Sequence, residues 1–485
     1  MTRSNNRRPR VCIIGAGLTG LAAANLLLDR GYEVVILEST PQPGGMISSF
    51  QMGADRIEYI YHHIFTSDQY LINLANELGL GDKLEWHRTR DALFEQGRLF
   101  PFSSPLDLLR YATIPLTQRI KTGLAVLLAA RIKDWSSMEK QTAAEWLKAK
   151  CGPVAYEKLW RPLLRSKFDA DADDVSAVWI WNKFKLRGLS RDQKTGGEKL
   201  GYMQGSFSEI TDRLVASIQQ KDGLLLSGHT AMNISREPGH LKAGFPEYRV
   251  SCILENCSTV EIKADAVIAT LSGRQFASIT TSLDLPDEYM KKVRAVRYKG
   301  DMCLILRLRS SLSPYYWTTV CDDLPFVAVI EHTNLTGPDR YGGHVVYLTR
   351  YLNVTDHLWT KPDGDIFRLF AEGLASMYPH FTIGDVIDWR LRRTRYAQPV
   401  IYRHYSSQMP ALDTPEPGVK LAGMAQIYPE DRGMNYAVRL GAQAASAVEV
   451  YLARYDQNPT GAASRDGSRM DHPQSPITPA RGADA

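Results

Sequence analysis

A strand, a glycine turn and a helix near the start of this chain constrain its fold more than any other stretch. Arg10-Val11-Cys12-Ile13-Ile14 is a short apolar run of the kind that parallel sheets bury on both faces. Gly15-Ala16-Gly17-Leu18-Thr19-Gly20 follows at once, with G-x-G-x-x-G spacing. Leu21 to Asp29 then reads as a helix ended near Gly31, and Glu33 to Leu37 reads as a second strand closing on Glu38. Each part has a physical task. Gly15 allows the tight turn, Gly17 lets the backbone approach a pyrophosphate, and Gly20 permits close helix–strand packing. The helix N-terminus offers Ala16, Leu18 and Thr19 as backbone neighbours to that anion, with free N–H groups and a positive dipole end. Glu38 stands about 20 residues beyond the motif, where an acid accepts hydrogen bonds from a ribose.

Composition alone points elsewhere. Arg7, Arg8 and Arg10 precede an apolar run from Val11 to Leu28, which resembles a signal peptide or a membrane span. The strand–glycine–helix–strand–acid register explains more of those residues, so the dinucleotide reading is preferred. The rest of the composition is ordinary. The chain has 485 residues, 44% hydrophobic and 23% charged, with net charge +5. That excludes wholesale disorder and a multi-span membrane protein. The basic residues are spread along the chain, which gives no argument for nucleic acid. The six cysteines show no metal spacing, and no metal site is expected. Scattered thiols fit a reducing, cytoplasmic setting.

Two further motifs carry a resemblance. Pro41-Gln42-Pro43-Gly44-Gly45-Met46 follows Glu38. Late in the chain, the strand Val419 to Gly423 precedes Glu430-Asp431-Arg432-Gly433-Met434-Asn435, and a helix runs from Ala437 to Leu452 with Gly441, Ala444 and Ala445 on one side. Together with the first motif, these resemble the FAD-dependent oxidoreductases that include protoporphyrinogen oxidases and amine oxidases, with some likeness to UDP-galactopyranose mutases. The resemblance covers about residues 10–452. It implies FAD as cofactor, held by Gly15 to Gly20, Glu38, Gly44, Gly45, Met46, Gly433, Met434 and Asn435. It implies an α/β FAD-binding domain, Rossmann-like and of the glutathione-reductase type, interleaved with an α+β substrate domain. The FAD-binding domain is expected from 10–101, 197–280 and 408–455, and the substrate domain from 102–196 and 281–407. Residues 1–9 and 456–485 are expected to be disordered, the latter for its Pro, Gly, Ser and Asp content.

The substrate residues are less sharply marked. His63-Ile64-Phe65 resembles the His-Ile-Phe core of the mutase motif beside the flavin, although Tyr61-His62 replaces its preceding Gly-Pro. Arg161, Arg165 and Lys167 fall within nine residues and suit a phosphate or carboxylate, or a solvated helix face. Glu331-His332 follows an apolar strand, where a carboxylate beside an imidazole can do acid–base work or be surface decoration. Tyr347 and Arg350 end another strand, with Tyr347 and Tyr351 on one face and Arg350 on the other. In amine oxidases the resemblance places a lysine in the strand matching Val296 to Leu308; Cys303 stands at the nearest place and Lys299 four residues earlier. His63, Arg161, Glu331, His332, Tyr347 and Arg350 are the candidate catalytic residues.

Residues 119–133 hold the apolar run Thr122 to Ala130 between Arg119, Lys121, Arg131 and Lys133. It is too short to span a bilayer and reads as a core helix, or as a peripheral contact lying on a membrane. The function implied is hydride transfer from a C–H bond of a small molecule, anionic or neutral, to flavin N5. Two alternatives remain open: a redox-neutral mutase acting on a nucleotide sugar, and a non-catalytic FAD-binding scaffold.

Overall fold

The computed structural model describes residues 8–129, 131–189, 199–242 and 245–456. The segments 1–7 and 457–485, where disorder was expected, lie outside the described residues, as does the expected domain boundary at 196–197.

Arg10–Ile14 forms the centre of a five-stranded parallel sheet. Its neighbours are Glu33–Glu38 on one side and Ala266–Ala269 on the other, with Leu224–Ser227 and Val419–Leu421 at the edges. Val11, Ile13 and Ile36 point to one face, Cys12, Val35 and Val267 to the other, and all are buried. That two-sided burial is why these strands are unbroken apolar runs. Helix Leu18–Asp29 covers one face, joined by Met434–Asp456 and Ser208–Gln220. A three-stranded antiparallel sheet, His229–Lys242, Phe245–Leu254 and Thr259–Ala264, covers the other.

A mixed seven-stranded sheet stands beside this unit. Its order is Val386–Pro399, Tyr298–Leu308, His344–Leu352, Ala328–Glu331, Trp317–Val320, Asp91–Glu95, Arg98–Pro101. Residues 91–101, expected in the FAD-binding domain, hydrogen-bond into this sheet instead: Asp91–Glu95 pairs in parallel with Trp317–Val320. Strands of four and five residues carry no sequence signal of which sheet they join. Helix Asp363–Met377 packs on one face through Ile366, Phe370 and Leu374.

Residues 105–189 form a helical bundle, with Trp146, Trp160, Trp179 and Trp181 buried in it. Helix Arg161–Phe168 of this bundle lies against strand His344–Leu352. Bundle, mixed sheet and parallel sheet therefore meet where the parallel strands end.

Candidate functional site

A cavity of about 550 Å³ opens at the C-terminal ends of the parallel strands. This is where open α/β sheets place ligands. Its outer wall is the first turn. Gly15 has φ +105, and a Cβ there would lie 2.4 Å from Thr270 Oγ1. Gly20 does not reach the cavity; a Cβ on it would lie 2.1 Å from the Gly15 carbonyl oxygen, so its task is helix–strand packing. Gly17 is different. A Cβ there would meet no atom within 4 Å, because the residue faces open cavity. It is the N-cap of helix Leu18–Asp29, which has no side-chain cap and no acid in its first turn. The helix thus presents unspent N–H groups and a positive end to the cavity.

The second glycine motif closes over the first. Gly44 N donates to the Ala16 carbonyl at 2.8 Å, and a Cβ on Gly45 would come within 3.2 Å of Gly17 Cα. Ala16 is spent in this crossing and does not line the cavity, whereas Gly44, Gly45 and Met46 do. Glu38 is buried. Its Oε1 accepts from Thr40 N and Oγ1, while Oε2 accepts, among the described residues, only Ala16 N at 2.8 Å. A carboxylate offers about four acceptor positions, so Oε2 keeps one for a ribose hydroxyl.

The inner wall comes from the late motif. Gly433 and Met434 line the cavity, and a Cβ on Gly433 also meets nothing within 4 Å. Helix Met434–Asp456 starts here, and its first turn holds no acid. Gly441 brings this helix against the first: a Cβ would lie 2.5 Å from the Thr19 carbonyl oxygen. Asn435, expected at the cofactor, turns away, and its Oδ1 accepts from Leu71 N at 3.2 Å. Two open glycine cradles, two helix starts without an acid in the first turn and one available carboxylate along a single cavity fit FAD.

Beyond Gly433 lies a partly buried polar cluster around the buried Tyr351. Arg432 lines the cavity and donates to Gln398 Oε1 at 3.1 Å and to the Tyr351 hydroxyl at 2.8 Å. Lys167 Nζ donates to the same hydroxyl at 3.1 Å and stands 4.5 Å above the Tyr351 ring. The Tyr61 hydroxyl lies 3.2 Å from that of Tyr351. Burial, then the Arg432 charge, holds the Lys167 ammonium well below the usual lysine range. Burial raises the Asp301 carboxyl to about 6. Burial would also raise Asp431, but Lys183, at 2.7 Å, with Lys167 and Arg432, pulls it well below the carboxylate range. His62 also lines the cavity; burial lowers it to about 4, helped by Arg432 and Lys167.

The expected catalytic residues are scattered. Of the His62–His63 pair it is His62 that lines the cavity, and His63 Nδ1 instead meets the Tyr316 hydroxyl at 3.0 Å. Arg161 is paired at 2.8 Å with Glu157 one turn back, on the outer side of its helix. Glu331 clamps a loop, accepting from Ser311 Oγ, Leu312 N and Ser313 N. His332 is buried among Tyr202, Tyr341 and Tyr347, and burial lowers it to about 3. Tyr347 donates to the Glu58 carbonyl at 2.7 Å. Arg350 faces the other way, onto the Leu324 and Pro325 carbonyls, so strand alternation places Tyr347, Tyr351 and Arg350 as expected. Lys299 is fully buried and bound to Asp171 and Asn353, and Cys303 is buried four residues further along the same strand.

Of Arg161, Arg165 and Lys167, the three cations expected to suit a phosphate or carboxylate, it is Lys167 that reaches the Tyr351 hydroxyl. Trp160, Leu164, Lys167 and Phe168 follow i, i+4, i+7, i+8 spacing, which puts the lysine on the buried stripe and Arg161 off it. Arg432, Tyr351 and Asp301 gave no such signal, because three separated strands and loops bring them together.

The sequence profile of flavin-containing amine oxidoreductases matches residues 18–449. Zeta-carotene desaturase of Synechocystis sp. is 25% identical over 286 residues, 54% of this chain and 57% of that protein. Amine oxidase B of Sus scrofa is 25% identical over 221 residues, 42% of this chain and 41% of that one. The chain spans about half the length of these curated relatives. The structure of cyclohexylamine oxidase from Brevibacterium oxydans superposes with a TM-score of 0.69 at 17% identity, covering 92% of this chain and 100% of the other, a likeness of fold. With the glycine cradles and their cavity, the match along residues 18–449 makes this chain a member of the flavin-containing amine oxidoreductases, a family of FAD-dependent oxidoreductases.

Proposed function

We propose that this chain removes a hydride from a C–H bond of a small molecule that carries an anionic group. The observation behind this reading is the Lys167–Tyr351–Arg432 cluster at the inner end of the cofactor cavity. FAD, when bound, supplies the two-electron acceptor. The chain's own residues bind and orient. Two basic side chains share one phenol hydroxyl, and Lys183 joins them around the ionised Asp431, while burial raises Asp301. Three basic side chains thus stand against two acids, one of them raised by burial. An arriving carboxylate or phosphate would add negative charge beside them and favour the Lys167 ammonium. Anchoring that group fixes where the rest of the molecule lies, which is the larger part of what such a site contributes. Tyr61, Trp317 and Tyr347 pack edge to face beside the cluster and exclude water. The positive end of helix Met434–Asp456 opens at Gly433 and favours negative charge there.

The reading treats the chain as two interleaved units, the first built on the parallel sheet and the second on the mixed sheet and bundle. The test is anaerobic bleaching of the bound flavin against panels of amines, porphyrinogens, isoprenoids and nucleotide sugars, each with carboxylated or phosphorylated and neutral members. Bleaching by anionic members of one panel is expected. Turnover seen only after prior chemical reduction, without net redox change, would instead mark a mutase. Bleaching confined to neutral molecules would refute the anionic assignment.

A further inference from the structure

The helical bundle turns one apolar face outward. In helix Leu116–Ala129 the residues facing inward are small: Thr122, Ala125 and Ala129 are buried. The large ones face solvent. Leu116, Ile120, Leu124, Leu127 and Leu128 are between 48% and 68% exposed. Their spacing of three and four residues sets them on a single stripe. Two leucines of the preceding helix, Pro105–Arg110, extend the patch and are also exposed. This reverses the core-helix expectation, because the stripe that should enter the core is the one left out. Scattered exposed leucines are ordinary, but a contiguous group of this size marks a contact surface.

The charges around the stripe say what kind. Arg110, Lys121, Arg131 and Lys133 are exposed at its margins. None of the four has a carboxylate partner among the described residues, whereas Arg119 is held against the Leu109 carbonyl. Between Asp107 and Asp134 the sequence contains no acid at all. An apolar stripe framed by unpaired cations is complementary to a surface with an apolar interior and anionic margins, which is an anionic phospholipid leaflet. No described helix is long and apolar enough to cross a membrane, so the contact lies in the interface plane.

We infer that helices Pro105–Arg110 and Leu116–Ala129 dock this protein onto anionic phospholipid membranes. The inference is independent of the proposed reaction. The experiment uses the full, flavin-loaded chain in flotation with vesicles of phosphatidylcholine mixed with phosphatidylglycerol, and with phosphatidylcholine alone. The protein should float with the mixed vesicles, bind the neutral ones more weakly, and be partly released by added salt. The double variant Leu124→Glu/Leu127→Glu should lose about tenfold or more in vesicle affinity while keeping its flavin content and melting temperature, since both side chains are exposed. Absence of flotation with mixed vesicles would overturn the inference, as would equal binding to the two vesicle types or unchanged binding by the double variant. Sedimentation showing a dimer that the same double variant dissolves, without vesicle binding, would assign the face to a second copy of the chain and overturn it too.

Discussion

Gly17→Val separates the cofactor site from the fold. Gly17 has φ −74, which valine adopts freely, and a Cβ there meets no protein atom within 4 Å. The cost to the folded chain is then mainly the loss of a good helix N-cap residue, about 1 kcal/mol. The cost to flavin binding is larger. The added Cβ and its two methyls stand in front of the uncapped start of helix Leu18–Asp29, in the space that a pyrophosphate must enter. Two charge-assisted hydrogen bonds lost there, at about 1.5–3 kcal/mol each, amount to about 3–6 kcal/mol. That corresponds to roughly a hundredfold to ten-thousandfold weaker binding. The assay is direct: purify both proteins, strip the flavin, titrate FAD by quenching of its fluorescence, and melt the stripped proteins in parallel. The variant should melt close to the unaltered stripped chain yet fail to load. Equal FAD affinity in the variant would refute the assignment of Gly17 as the point of approach. A variant that cannot fold at all would refute the claim that the space in front of it is empty.

Gly20→Ala should behave in the opposite way, lowering the melting temperature with and without flavin, because its Cβ would lie 2.1 Å from the Gly15 carbonyl oxygen and overpacking costs about 1–3 kcal/mol. An unchanged melt would show that the turn relaxes and that Gly20 is not a packing glycine. Lys167→Met should retain flavin and lose about ten- to a hundredfold in affinity for the anionic substrate, the worth of one charge-assisted hydrogen bond; unchanged affinity would remove Lys167 from the proposed site. His332 carries a pH signature. Its folded value, about 3, lies below the usual 6.5, so the neutral ring is favoured by the fold. The stability it contributes is present above pH 6.5 and is lost as pH falls from there toward 3, up to about 5 kcal/mol in all. Urea unfolding across that range should show a flatter acid limb for His332→Gln; superimposable limbs would refute the burial argument.

The cofactor half of this protein was readable because its chemistry is local. Gly15, Gly17 and Gly20 act through backbone geometry within six residues, and Glu38 sits one helix and one strand later, at a distance the fold unit itself sets. The late Gly433–Met434 turn and its helix were readable for the same reason. Asn435 was misplaced because a helix start rotates each successive residue by about 100°, and one step past Met434 already points at Leu71.

The substrate half is non-local. Polar residues following apolar strands drew attention to Glu331, His332 and Arg350, yet the mixed sheet turns them to a loop, a ring cluster and two carbonyls. The cluster that does meet the cavity takes Lys167 from the bundle, Asp301 and Tyr351 from neighbouring strands, and Arg432 from the closing turn. No spacing in one dimension encodes that meeting. The same holds for the outward stripe of helix Leu116–Ala129. Its periodicity shows that an apolar face exists, but whether that face enters the core depends on which other helices arrive first, and here the bundle fills its interior with alanines from this helix and tryptophans from the others. Sequence by itself determined the cofactor, through backbone chemistry within short segments. The tertiary structure alone decided which charges gather at the inner end of the cavity and which apolar face meets the outside, because both depend on the packing of elements far apart in the chain.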